Sequence, residues 1–183
     1  MPFLMEIEDP WQVKKDGDIM VVVSGKVREG NIAVGDTVEV VGFSQTVQQA
    51  VVVEKDFKPY AEGLLQGTLV LQGVSKSDVT RGQVVATSGR IQAWTRCRAH
   101  IVFSAEKERI DPQPFFDIFR SLLHIRRTDV FTTIFLPEGV TELAPGDELD
   151  VRMEFPKPIA LEVGLSFFIG RFMGTGTVTG LIE

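Results

Sequence analysis

Short runs of β-branched and aromatic residues recur along this chain, each closed by Gly, Pro, Asp or Asn, and helix-period segments are nearly absent. The period-two alternation is clearest at residues 97–104. Cys97, Ala99, Ile101 and Phe103 fall on one phase, and Arg98, His100, Val102 and Ser104 on the other. Residues 19–27, 37–43, 46–57, 69–71 and 83–86 are further strand runs in the first half. Residues 122–127, 131–136, 148–155, 165–169 and 177–182 follow in the second. The residues 28–31 (REGN) supply a turn in which Gly30 can take positive φ, and Asp111-Pro112-Gln113-Pro114 must break regular structure.

The pattern predicts an all-β protein of two consecutive antiparallel β-barrels, residues 1–90 and 91–183. The change falls at Ser88-Gly89-Arg90, and closure of each sheet removes the edges that an open one would leave. Gly35-Asp36 and Gly146-Asp147 each precede an alternating strand. This echo is read as shared turn chemistry rather than duplication.

With 183 residues there is enough chain for two small cores, and 44% apolar with 24% charged residues is the balance of an ordinary globular protein. The net charge of -6 and the lack of a dense Lys/Arg run argue against unselective binding to DNA or RNA, which rests on phosphate neutralisation. A single cysteine, Cys97, excludes an intramolecular disulfide and a multi-thiolate metal site, and fits a reducing, cytoplasmic location. Neither a signal peptide nor a run of about 18 apolar residues is visible, so no membrane association is expected. Glu6, Glu8 and Asp9 read as carboxylates on a solvated strand face, and no metal or cofactor site is expected. His100 and His124 lie beside no nucleophile motif, so no enzyme activity is expected.

Several ordered segments carry a family resemblance. They are Pro2-Phe3-Leu4-Met5 with Ile7-Glu8-Asp9, Gly25-Lys26-Val27-Arg28-Glu29-Gly30, Val34-Gly35-Asp36 and Arg81-Gly82-Gln83-Val84. Arg126, Thr128-Asp129-Val130, LPEGV at residues 136–140, Pro145-Gly146-Asp147 and Pro158-Ile159-Ala160 continue the series. In order and spacing the chain resembles the second and third β-barrel domains of translation elongation factor Tu. PFLMEIEDPW follows Met1 at once and resembles the opening of the second domain, so the chain is expected to lack the family's GTPase domain. No GxxxxGK[ST] phosphate loop occurs, and Gly174-Thr175-Gly176 reads as a loop or tight-packing element.

The resemblance implies RNA-binding candidates. Glu54 matches a Glu that holds the terminal adenosine and amino acid of aminoacyl-tRNA, Lys58 matches a family Lys, and Arg81 matches an Arg at the tRNA 5′ end. Asp56 and Phe57 depart from the aromatic or His and the Arg expected there. In the third domain, Leu122 stands for a Gln, Phe131 for a Thr, and residues 111–113 replace a GGRHT element. The loop at residues 170–174 is shortened. Polar groups able to bond ribose or phosphate have thus become apolar.

Ten of the thirteen phenylalanines follow residue 100, among them Phe115, Phe116, Phe119, Phe131, Phe135, Phe167, Phe168 and Phe172. The family docks part of this domain on its GTPase, so an aromatic surface here would need another cover. The expected role is a non-catalytic protein-interaction or self-association module in which most tRNA contacts are degraded and tRNA binds weakly at best. The alternatives are a translation-related RNA-binding module that keeps partial contacts to the tRNA acceptor end, or a fragment of a full elongation factor. With no phosphate loop, GTP and GDP should not bind; calorimetry is expected to show no heat of binding, and micromolar affinity would contradict the reading.

Overall fold

The protein is described from a computed structural model, which describes residues 1–61, 63–104, 118–141, 143–170 and 173–183. The chain divides into two compact units, Met1–Ala93 and Trp94–Glu183. Each is a closed antiparallel barrel of six strands. Among the described residues, no helix is long and apolar enough to cross a membrane.

The first barrel comprises β1 (Leu4–Lys15), β2 (Asp18–Glu29), β3 (Thr37–Val41), β4 (Gln48–Ala61), β5 (Leu64–Gln72) and β6 (Val84–Thr87). Around the barrel they run β1-β2-β5-β4-β3-β6, and β6 pairs back onto β1. Its interior is filled by one phase of each strand, including Phe3, Met5, Val21, Val38, Val52 and Leu69. Residues 64–68 read as a connection in the sequence but form the start of β5. The reason is a row of close approach in which Ile7 faces Gly25, Gly25 faces Gly67 and Gly67 faces Phe57. A Cβ at Gly25 would lie 1.8 Å from the Glu6 carbonyl oxygen, and one at Gly67 would lie 1.9 Å from that of Asp56. Only glycine lets these strands coil so tightly.

Glu6 departs from the solvated face expected of it. It is 4% exposed, and its Oε2 accepts from Arg28 Nε (2.9 Å) and Nη2 (2.7 Å). A carboxylate taken out of water needs such a partner.

The second barrel comprises β7 (Gln92–Phe103), β8 (Ile118–Ile125), β9 (Thr128–Phe135), β10 (Glu148–Leu161), β11 (Ser166–Ile169) and β12 (Gly174–Ile182), ordered β10-β7-β12-β11-β8-β9. Cys97, Ala99, Ile101 and Phe103 all point inward, as their alternation requires. Gly174 and Gly176 belong to β12. A Cβ on the first would meet the Val102 carbonyl, and one on the second the Phe167 ring, so this Gly-rich stretch serves packing. β10 continues past Phe155 through Pro156 and Pro158, beyond Glu154, the last residue in register with β9.

The strand expected at residues 122–127 ends instead at Ile125. Arg126 and Arg127 form a two-residue turn with φ of 45° and 68°. Such turns favour Asn-Gly, and arginine there is strained. The strain is tolerated because Arg126 is buried and tethered: its Nε donates to the Ala160 carbonyl (2.7 Å) and its Nη2 to Glu162 Oε1 (2.6 Å). The two Gly-Asp turns share one geometry. Asp36 Oδ2 accepts from Ala33 N–H (2.8 Å), Asp147 Oδ2 accepts from Ala144 N–H (2.7 Å), and Gly35 and Gly146 both have positive φ. Residues 111–113, Phe115, Phe116 and Phe172 lie outside the described residues.

The glycine row gives a stability prediction. Gly67→Ala should destabilise the protein by about 3 kcal/mol or more, because the clash is with backbone. Gly89→Ala, where a Cβ meets nothing but φ is +72°, should cost only about 1 kcal/mol. Equal losses in urea unfolding would contradict the close-approach account.

Candidate functional site

Glu54 and Lys58 are both on β4, on its solvent face. A one-residue bulge at Val53 sets their phase: after it Glu54 opposes Val70, Asp56 opposes Thr68 and Lys58 opposes Gln66. On the other side of β5 these rows continue to Val22, Ser24 and Lys26. Directly opposed residues of an antiparallel pair share a face, so the outer surface is a grid of known neighbours. Glu54 and Lys58 stand four residues apart, about 13 Å along an extended strand.

Charges of opposite sign accompany Glu54 and Lys58. Lys15 pairs with Glu54, and Lys58 Nζ lies 3.9 Å from Asp56 with both side chains exposed. Val34, Val53, Glu54, Lys55, Asp56, Thr68 and Val70 line a shallow hollow of about 310 Å³. Arg81 is exposed in the turn before β6, a strand that pairs with β1 and β3 and not with β4. The fold therefore brings Glu54 and Lys58 onto one face and leaves Arg81 apart from them. A phosphate backbone crossing the β4 face would meet Glu54 and Asp56 as well as Lys58, which weakens its attraction.

The second barrel presents a different surface. On the outer face of β8 and β9, Leu122 directly opposes Phe131, with exposures of 36% and 69%. One row away, His124 is flanked by Asp129 on β9 and by Phe168 on β11, the latter 60% exposed. In the other direction Arg120 opposes Thr133, which opposes Glu154 on β10, and then Ile118 opposes Phe135, which opposes Arg152. The Arg152 guanidinium lies over the Phe135 ring at 4.1 Å, a cation–π contact. Arg120, Phe131, Thr132, Thr133, Glu154, Phe155 and Pro156 wall a hollow of about 480 Å³, and Ile118, Phe135, Asp150 and Arg152 help to line a neighbouring one of about 740 Å³.

The phenylalanines thus separate by strand phase. Phe103 and Phe167 are buried, and Phe119 packs on Phe103 with ring centroids 6.4 Å apart. Phe131 and Phe168 face solvent. Sequence reading singled out Leu122 and Phe131 but missed Ile118, Arg120, Arg152 and Glu154, which complete the same face. Their signal was available in the phase of Ile118, Arg120, Leu122 and His124 against Phe119, Ser121, Leu123 and Ile125.

His100 Nδ1 lies 3.0 Å from Asp150 Oδ1, and His124 Nδ1 lies 2.9 Å from Asp129 Oδ1, both on the outer face of the barrel. Burial pushes the Cys97 thiol up to about 12, so almost none of it is thiolate near neutral pH. Among the described residues, no group of three or more His, Cys, Asp and Glu could hold a metal ion. No protein-family model matches the chain.

Proposed function

We propose that this chain is a non-catalytic double β-barrel of the elongation factor Tu type that works by holding protein, rather than tRNA, on the outer face of its second barrel. The observation that carries the reading is the Leu122–Phe131 pair, directly opposed across β8 and β9 and open to solvent. The family resemblance implies polar contacts to the tRNA T stem at these two positions. An aliphatic–aromatic pair offers a ribose or phosphate no hydrogen bond, but it offers a protein surface apolar area to cover. Fully withdrawing a large apolar side chain from water contributes about 1.5–3 kcal/mol, and Phe131 has most of that still to gain. The mixed charges beside Glu54 and Lys58 are consistent with weak aminoacyl-tRNA binding.

A photo-crosslinking amino acid at position 131, compared with one at exposed position 60 on β4 of the first barrel, tests the proposal in the producing cell. Adducts are expected at 131 well above those at 60, and they should be removed by protease and not by nuclease. Nuclease-sensitive adducts would establish the RNA reading instead. Equal adducts at the two positions would remove the β8–β9 face as a working surface.

A further inference from the structure

The outer face of β8, β9 and β10 carries a pattern that says more about its occupant, given the protein-binding reading above. With β9 as the central column, the middle row is Arg120, Thr133 and Glu154, a cation and an anion on either side of a small hydroxyl. One row along is Leu122 with Phe131, and Pro156 lines the same hollow as Phe131, Arg120 and Glu154. Among the described residues Arg120 makes no ion pair, and Glu154 has only the exposed Arg152 at 3.9 Å. We propose that this face is self-complementary and that its occupant is a second copy of this chain, packed face to face about a two-fold axis parallel to β9.

Such an axis exchanges left and right while keeping each row level. Arg120 of one copy then lies over Glu154 of the other, and the reverse pair forms at the same time. Phe131 meets Phe131 of the second copy near the axis. A two-fold axis running across the strands would instead set Arg120 over Arg120 and Glu154 over Glu154, and like charges brought together in this way are unfavourable. The charge pattern therefore selects one isologous arrangement. Sheets packed face to face keep their strands within about 30° of parallel, so the correspondence is closest at the Thr133 row and fades toward the ends. His124, held against Asp129, and Arg152, lying over Phe135, mark the two rims.

Sedimentation equilibrium of the full chain tests the proposal through a charge-swap cycle. The wild type is expected to dimerise in the micromolar range. Arg120→Glu alone and Glu154→Arg alone should each weaken the dimer about tenfold or more, and the double variant should return to within about threefold of the wild type. Both side chains point outward, so circular dichroism should show all four proteins equally folded. A wild type that stays monomeric to about 100 μM, or a double variant no tighter than its parents, would overturn the two-fold dimer. Should the wild type be monomeric while position 131 still gives protein adducts, only the second-copy occupant fails and the protein-binding reading stands.

Discussion

Closure of the two barrels is the constraint on which the rest of the structure depends. Every strand has a hydrogen-bonded neighbour on each side, so the paired backbone donors and acceptors are satisfied within each sheet. Closure also divides each strand into an inner and an outer phase with no third option. The inner phase is mostly apolar, from Phe3 and Val21 in one unit to Ile101 and Ile134 in the other, with Ser121 and Thr132 also buried. On the barrel walls, recognition therefore falls to outward side chains arranged in cross-strand rows.

Tight closure in turn rests on local features that break the simple alternation. The facing Gly25 and Gly67 let β1 and β4 approach the strands between them, and the bulge at Val53 resets the phase so that Glu54, Asp56 and Lys58 look outward. In the second barrel the strained Arg126-Arg127 turn fixes the β8–β9 register through its tie to Ala160 and Glu162. That register is what sets Leu122 opposite Phe131. A slip of one residue would turn both side chains to the interior and bring Leu123 and Val130 to the surface.

Much of the architecture was legible from the sequence because alternation reports strand phase directly. Residues 97–104 gave the inward and outward sets of β7 correctly, and the two Gly-Asp turns proved chemically alike. What the sequence could not supply was adjacency. Nothing in the local pattern around Glu6 announces Arg28, 22 residues away, as the partner that allows its burial. Gly67 looked like loop punctuation because its reason for being glycine is the Asp56 carbonyl on another strand. Likewise the Phe-rich composition after residue 100 could not be divided into core and surface until the phase and register of β8, β9 and β11 were fixed. Arg120 and Glu154 acquire meaning only as members of one row with Thr133.

The outer face of β8, β9 and β10, with Phe131 open to solvent, carries the proposed contact with a second copy of this chain. Hydroxyl-radical footprinting of the purified chain across a concentration series tests that claim most directly. Oxidation of Phe131 should fall as the protein associates, while Trp11 and Tyr60, exposed on the first barrel, should react equally at all concentrations. Constant oxidation of Phe131, or protection of Trp11 and Tyr60 in its place, would contradict it.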